Sequence, residues 1–327
     1  MATCTHHKIK ILILAIFGIL FTGCVETLFS IKVFPDGRYS MFIRTQGDST
    51  DVFNNDFPHP SGLAWTTKLE KEQNENEDIW IMETNGIAEG ALLFTSRDDS
   101  LIALQHPIQV QQTKGYFATR YTLRNEFKGR KVYLKYPALG KSLQERDMDS
   151  TRWLDEAFYY MCSAGFNNLQ NDPETAIDQI LSERVLNHIH NTLAHINQKN
   201  LFEEMEDKQP FIDQMLLPFQ QELPIGYSAI LSKSTDIYEE ELKLTTNLQD
   251  DQFQYWVFMP GVITTTNADT ISGDTLKWSF GLNDYINDDY VIIAASIVYS
   301  NKRIQTAILF VSGIFLITLF LLYKRGR

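Results

Sequence analysis

The sequence predicts an α+β protein in which a mostly antiparallel β-sheet domain carries a helical insertion and is followed by one C-terminal transmembrane helix. Three observations predict it. Apolar and polar residues alternate in segments near both ends of the chain, a helical period dominates from about 138 to 223, and 304–323 contains no charged residue. The 327-residue chain thus divides into a signal peptide (1–23), an extracytoplasmic domain (24–303), the transmembrane helix and a cytoplasmic tail (324–327).

The N-terminal segment has the composition of a secretory signal peptide. Two lysines precede an apolar run of about 12 residues, which is too short to span a bilayer comfortably but is typical of a signal-peptide core. The run ends in residues that resemble the lipobox of bacterial lipoproteins, in which a peptidase cuts before a cysteine: Leu20, Phe21, Thr22, Gly23 and Cys24. We predict that cleavage leaves Cys24 as a lipidated N-terminus. The alternatives are an uncleaved signal anchor that begins near Ile9 and a soluble start.

The C-terminal apolar run predicts a membrane-spanning helix. As a helix, residues 304–323 are long enough to cross a hydrocarbon core of about 30 Å. Lys324, Arg325 and Arg327 follow directly, and the positive-inside rule places such residues in the cytoplasm. The signal peptide directs everything after Cys24 outward. We therefore expect a protein of the bacterial cytoplasmic membrane whose main domain is extracytoplasmic.

Charge and cysteine content exclude some functions. The chain has 41 acidic and 29 basic residues and a formal net charge of −12. Such a surface repels phosphate backbones, so nucleic-acid binding is not expected. Cys162 is the one cysteine of the predicted outward domain other than Cys24, and its apolar helical surroundings predict a buried, unreactive thiol and no intrachain disulfide.

The first part of the outward domain is predicted to be mostly β. Phe29, Ile31 and Val33 alternate with polar or small residues, and a second alternating segment follows the turn signal Pro35-Asp36-Gly37. Proline presets φ and glycine accepts a left-handed conformation, so this segment predicts a β-hairpin. Residues 48–60 predict a loop. Further strands are predicted near 79–83, 91–96, 108–113, 116–124 and 130–136.

Helical signals dominate the middle of the chain. Ser150 or Thr151 is a candidate cap for a helix that continues through Ala164. The sequence Asp172-Pro173-Glu174 predicts the start of a second helix that runs to about Gln198, because a capping residue, a proline and an acid occur there in succession.

After Ile225 the predicted pattern returns to β. Strands are expected at 237–248, on both sides of the Gly273-Asp274 turn, and at 290–299, which leads directly into the membrane helix. The simplest organisation is one domain whose sheet is built from both ends of the outward segment, so that both membrane tethers leave from the same region of the sheet. Two sequential domains are the alternative.

Two segments resemble bacterial lipoproteins of the LppM-like type. The first, GCVETLFSIKVFPDGRYSM, leads from a cysteine into a strand, an Asp-Gly hairpin and a second strand. The second, WVFMPGVITTTNADTISGDTLKWSF, has a Pro-Gly pair that ends a strand and a Gly-centred turn before a strand with tryptophan. The likeness covers about 24–45 and 250–323. It implies an envelope lipoprotein with lipid or glycolipid contacts.

No motif predicts catalysis. The sequence PALGKS resembles the end of a phosphate-binding loop, but Lys135 stands where the motif needs a glycine. His188, His190 and His195 are not spaced to chelate a metal from one helix face. Neither Gly-x-Ser-x-Gly nor His-Glu-x-x-His occurs. We therefore expect no enzymatic activity, no catalytic residue, no metal site and no cofactor.

The resulting hypothesis is a non-catalytic binding or scaffolding module that is anchored in the bilayer and contacts a protein partner or an envelope lipid. The helical insertion is the expected contact surface. Binding of a protein partner predicts an exposed apolar patch there, whereas binding of a lipid predicts a deep apolar cavity between helices and sheet. The alternative function is that of an extracytoplasmic hydrolase acting on envelope material, which requires a cleft with convergent titratable groups.

Overall fold

The computed structural model describes residues 26–53, 57–73, 78–92, 104–145, 153–195 and 208–325. The predicted cleavage and lipidation residues (20–24) and Arg327 lie outside these ranges. The described residues form an α+β structure, as predicted.

Twelve strands are present in the described part of the chain. They are β1 (Glu26–Val33), β2 (Arg38–Gly47), β3 (Trp65–Gln73), β4 (Asp78–Glu89), β5 (Ala91–Leu92), β6 (Ile108–Lys114), β7 (Ala118–Phe127), β8 (Gln252–Phe258), β9 (Val262–Thr266), β10 (Thr270–Ser272), β11 (Thr275–Gly281) and β12 (Tyr290–Tyr299). They form a seven-stranded sheet in the order β10-β11-β8-β1-β2-β4-β3 and a five-stranded sheet in the order β5-β6-β7-β12-β9.

Both sheets combine strands that precede the helical region with strands that follow it. β1 pairs with its hairpin partner β2 in the antiparallel sense and with β8 in the parallel sense, so that Glu26 lies beside Gln46 and Gln252. In the second sheet, β12 lies between β7 and β9 and is antiparallel to both. Strand pairing is mostly antiparallel, as predicted, but the described strands form two sheets where one was predicted.

The two sheets pack face to face as a sandwich with an aromatic core. The alternating residues of the predicted hairpin are buried, as expected for strands with one face on a core. The ring centroid of Phe29 on β1 lies 5.0 Å from that of Tyr255 on β8 and 6.1 Å from that of Phe127 on the other sheet. These contacts bury apolar area from both sheets, which is the main stabilising contribution expected here.

Nine α-helices are present in the described part of the chain, and most of them lie between β7 and β8. They are α1 (Ser49–Phe53), α2 (Val132–Lys135), α3 (Pro137–Glu145), α4 (Leu154–Gln170), α5 (Gln179–Leu193), α6 (Lys208–Leu216), α7 (Tyr227–Asn247), α8 (Leu282–Tyr285) and α9 (Asn301–Arg325), with a 3-10 turn at Leu217–Phe219. We call α2 to α7 the helical lobe. It begins earlier and ends later than the predicted insertion of about 138–223.

Two predicted strands are wrong, because 130–136 contains the short helix α2 and 237–248 belongs almost entirely to α7. The buried side of α7 includes Leu231, Thr235, Leu242 and Thr245, which recur at helical spacing. Because two of these buried positions are threonines, a pattern based on apolar residues alone does not detect the stripe. The intervening run of glutamates favours a helix.

The start of the helix predicted at Asp172 is also wrong. α5 begins six residues later, where the Asp178 carboxylate caps it by accepting hydrogen bonds from the N–H groups of Ile180 (2.9 Å) and Leu181 (3.4 Å). Asp172 instead closes a turn, in which its carbonyl oxygen accepts from the N–H of Thr175. Both aspartates carry cap chemistry, and the sequence pattern did not distinguish them.

The C-terminal helix α9 continues directly from β12, with Ser300 alone between them. It is 25 residues long, and its most apolar window has a mean hydropathy of 2.4 and no side chain buried against the protein. Its length and composition make it a candidate membrane span. Lys324 and Arg325 lie in its last turn.

The first strand starts at the end of the sandwich opposite to α9. β12 begins at Tyr290, which pairs with Phe127, and Phe29 packs against Phe127 across the core. Glu26, three residues before Phe29, therefore lies at the end where β12 begins. β12 spans about 30 Å before it reaches Ser300 at the other end.

The end of β1 confirms this orientation. The carbonyl oxygen of Pro35, just beyond β1, accepts a hydrogen bond of 2.7 Å from the Tyr121 hydroxyl. Tyr121 pairs with Ser296, close to the end of β12. The expectation that both tethers leave from the same region of the sheet is therefore wrong.

Candidate functional site

An exposed apolar surface lies on the helical lobe between α6 and α7. We call it the lobe patch and define it as Leu217, Leu223, Pro224 and Ile225. The side chain of Leu217 is 63% exposed and that of Ile225 is fully exposed. The patch borders an open cavity of about 490 Å³ that is also lined by the polar residues Asp213, Gln220 and Ser228. Exposed apolar side chains beside polar ones are common at protein interfaces.

Buried neighbours hold the lobe patch in place. Leu216 and Phe219, on either side of Leu217 and Pro218, are buried in the lobe and fix the 3-10 turn that turns Leu217 outward. Arg184 of α5 binds both carboxylate oxygens of Glu222 at 2.7 and 3.0 Å, and its guanidinium lies 5.4 Å from the Phe219 ring centroid. The patch is therefore part of a braced connection between helices.

The patch lies at the end of α7 that is remote from the sandwich. Tyr227, the first residue of α7, packs against Phe166 near the end of α4, with ring centroids 5.9 Å apart. At the other end of α7, Thr245 contacts Arg130, which follows β7. The 21 residues of α7 separate these ends by about 30 Å.

The candidate nucleophile and candidate metal ligands do not form a reactive site. Cys162 is buried, and burial raises the pKa of its thiol to about 12, so the predicted inert role fits. His190 packs edge-on against Tyr159, whereas Nδ1 of His195 lies 2.7 Å from the Asn191 carbonyl oxygen of its own helix turn. Among the described residues, no group of three or more His, Cys, Asp and Glu side chains is placed to hold a metal ion.

A polar cavity of about 450 Å³ lies where the lobe meets the sandwich, lined by parts of 249–252 and 279–284 and by Leu143. It contains the carboxyl groups of Asp250 and Asp284. The Asp284 carboxylate accepts a hydrogen bond of 2.9 Å from the N–H of Gly281 and so caps α8. The capping role accounts for the position of this carboxylate, so its place in the cavity does not by itself indicate a catalytic group.

A half-buried histidine that the sequence did not single out joins two strands of the larger sheet. Nε2 of His59 lies 3.0 Å from the hydroxyl oxygen of Thr45, and Nδ1 lies 2.8 Å from that of Thr84. Burial lowers the pKa of His59 to about 4, so the ring is neutral at physiological pH. Thr45 occupies a buried position in the alternating pattern of β2. A polar residue at such a position indicates a polar partner inside the protein, which here is His59. This imidazole is a structural bridge.

The residues predicted to set membrane orientation are only partly described. Lys324 and Arg325 end α9 and are exposed. Arg327 and the predicted lipidation site, Cys24 with 20–23, lie outside the described ranges. Lipidation therefore remains a prediction from sequence.

No family model and no curated protein matches this sequence. Among solved structures, the chain is similar to the NMR structure of the folded domain of the LppM protein of Mycobacterium tuberculosis. The likeness covers 86% of this chain and 95% of that one, with a TM-score of 0.31 and 9% sequence identity. These values indicate a distant structural relationship, and no residue role or ligand is transferred on their basis.

Proposed function

We propose that this protein is a non-catalytic binding module anchored in the bacterial cytoplasmic membrane, and that its lobe patch docks a protein partner. The observation that supports the proposal is the exposure of Leu217 and Ile225 on a braced surface at the end of α7 that is remote from the sandwich. Leaving large apolar side chains in water forgoes about 1.5–3 kcal/mol for each side chain, which association with a partner recovers.

The shape of the surface favours a protein over an envelope lipid as the partner. A lipid chain needs a deep apolar cavity, whereas the lobe patch is an exposed surface beside an open cavity that is partly lined by polar side chains. Exposed apolar anchors surrounded by polar residues are typical of protein interfaces. An envelope lipid is the alternative partner for this surface.

The membrane anchors belong to the same proposal. We infer that α9 spans the membrane with Lys324 and Arg325 on the cytoplasmic side, because the predicted signal peptide directs the residues after Cys24 outward and basic residues flank the apolar run on both sides. Cleavage and lipidation at Cys24 follow from the lipobox-like sequence before it. Membership of the LppM-like envelope lipoproteins, which the two sequence segments resemble, is part of this proposal.

Site-specific photocrosslinking in the native cells tests the docking surface. A photoreactive phenylalanine analogue replaces Ile225, and the matched control carries it at Leu134, which is 80% exposed at the other end of the helical lobe. We expect one discrete protein adduct from position 225, its loss when Leu217→Glu is added, and no such adduct from position 134.

Two results contradict a protein-docking role. Equal crosslinking from both positions would mean that position 225 contacts proteins no more specifically than any exposed site. An adduct of lipid mass at position 225 would assign the patch to an envelope lipid.

A further inference from the structure

Two aromatic side chains are exposed in the turn between β6 and β7. The side chain of Tyr116 is 67% exposed and that of Phe117 is 48% exposed. Their rings contact each other edge to face, with centroids 4.9 Å apart. Tight turns of soluble domains are usually polar, so an apolar pair at this position needs an environment other than water.

Three contacts fix this turn to the start of α9. The N–H of Ser300 donates a hydrogen bond of 2.8 Å to the Phe117 carbonyl oxygen. Nη1 of Arg303 donates one of 3.1 Å to the Tyr116 carbonyl oxygen, and the same guanidinium lies 5.3 Å from the Tyr116 ring centroid. These contacts hold the aromatic pair beside the first turn of α9, so the two share one depth relative to a membrane.

The first turn of α9 marks the boundary between water and hydrocarbon. The uncharged run begins at Ile304, the residue after Arg303, so the Arg303 guanidinium belongs at the level of the lipid headgroups. The Tyr116 ring, stacked with that guanidinium, is at the same level. Amphipathic aromatic rings are enriched at this depth because one part of the ring is apolar and another is wet.

The charge around the turn fits a lipid surface. Lys114 and Lys302 are exposed beside the aromatic pair and next to Arg303, in a chain whose net charge is −12. Cations near the surface of an anionic leaflet attract it by about 1 kcal/mol each.

We propose that the Tyr116-Phe117 turn inserts into the headgroup layer of the membrane that α9 spans. Phe117 contacts the upper part of the acyl chains, while Tyr116 and Arg303 remain at the phosphate level. The turn is thus a second, non-covalent membrane contact, which fixes the height of the sandwich above the bilayer. The inference rests on α9 spanning the membrane, as proposed above, but not on the role of the lobe patch.

Tryptophan quenching by brominated lipids tests this contact. The full chain carrying Phe117→Trp is reconstituted in phosphatidylcholine–phosphatidylglycerol vesicles, with bromine either near the carbonyl end or near the methyl end of the acyl chains. The spectrum of the unsubstituted chain, which has five tryptophans, is subtracted. We expect the added emission to be blue-shifted and to be lost with bromine near the carbonyl end.

Two control variants make the outcome decisive. Ile180→Trp, an exposed position on α5 near the end of the helical lobe that is remote from the sandwich, should show unshifted emission that bromine does not quench. Leu316→Trp, within α9, should be quenched most by bromine near the methyl end. Quenching of Leu316→Trp without quenching of Phe117→Trp would overturn the inference and leave the proposed function intact. Absence of quenching in both would instead overturn the membrane anchoring on which the inference depends.

Discussion

Arg130 and Thr245 join the helical lobe to the sandwich, although 115 residues separate them in sequence. Nε and Nη2 of Arg130 donate hydrogen bonds of 3.1 and 3.0 Å to the Thr245 hydroxyl oxygen. That hydroxyl donates in turn to the Glu241 carbonyl oxygen at 2.7 Å. Both side chains are buried, and a buried guanidinium is costly unless its donors are satisfied. The pair is therefore a polar contact on which the docking of α7 depends.

The first prediction concerns this pair. Thr245→Val keeps the shape of the side chain but removes the hydroxyl that accepts two of the hydrogen bonds from Arg130, and should lower the free energy of unfolding by about 1–3 kcal/mol. Urea unfolding of the full chain in detergent, followed by tryptophan fluorescence, measures the change. Thr246→Val is the matched control, because its hydroxyl bonds only to the Lys243 carbonyl oxygen of the same helix, and it should change stability by less than about 0.5 kcal/mol. Equal effects of the two substitutions would mean that the Arg130 contact contributes nothing to stability.

The second prediction concerns the half-buried imidazole of His59. Its pKa is lowered from 6.5 to about 4 in the folded protein because burial disfavours the charged form. The unfolded chain therefore binds more protons between these values. The contribution of His59 to the free energy of unfolding is fully present above pH 6.5, and it is lost as the pH falls towards the folded-state pKa of about 4. We expect a loss of about 2 kcal/mol between about pH 7.5 and about pH 5.

A His59→Gln variant provides the control for this pH dependence. Glutamine retains a donor and an acceptor for Thr45 and Thr84 but does not titrate. Its unfolding free energy should vary less with pH than that of the unsubstituted chain. Some dependence should remain, because burial also lowers the pKa of His106 to about 3. An unchanged pH profile in the variant would show that His59 does not set the acid sensitivity.

The third prediction concerns the crossing from β8 to β9. Gly261 has φ +82°, and a Cβ there would clash with the Ile297 carbonyl oxygen on β12. Gly273 has φ +65° but open space around it. Replacing either glycine by alanine incurs the left-handed penalty of about 1–2 kcal/mol, and the clash adds to it at Gly261 alone. Thermal unfolding should therefore show a lower melting temperature for Gly261→Ala than for Gly273→Ala, and the reverse order would contradict the close approach of these strands.

The sequence predicted those parts of the fold in which local and tertiary signals agree. The hairpin at Pro35-Asp36-Gly37 was predictable, because turn chemistry and period-2 alternation point to the same structure. Helix α7 was missed, because Thr235 and Thr245 occupy its core-facing side and interrupt the apolar stripe. The role of Thr245 depends on Arg130, and no local pattern contains that contact.

The location of the candidate site in the helical lobe could be predicted from the sequence, but its exposed residues could not. The helical middle was predicted as the contact surface, but the exposure of Leu217 and Ile225 depends on burial of Leu216 and Phe219 against other helices. Tyr116 and Phe117 were predicted as the start of a strand. Their position beside α9 depends on a hydrogen bond from Ser300, which lies more than 180 residues away in sequence. Such surfaces arise from chain crossings, and a linear pattern carries no signal for them.

The last prediction concerns Cys24 and the posture of the sandwich. We expect the intact mass of the purified chain to show the loss of residues 1–23 and the addition of diacylglycerol, and we expect a Cys24→Ala variant to lack both changes. A full-length mass without lipid in the unsubstituted chain would contradict lipidation.

A lipid on Cys24 would restrict the orientation of the sandwich relative to the membrane. It would hold Glu26 within about 7 Å of the membrane, because two residues of chain reach no further. Ser300, at the opposite end of a sandwich about 30 Å long, is held at the same membrane by α9. Both constraints are met only if the strands lie along the membrane plane, so a confirmed lipid mass predicts a short, equal distance from both ends of β12 to the bilayer. An uncleaved anchor at the N-terminus would impose the same posture, whereas a soluble start would let the sandwich stand upright on α9 and the Tyr116-Phe117 turn.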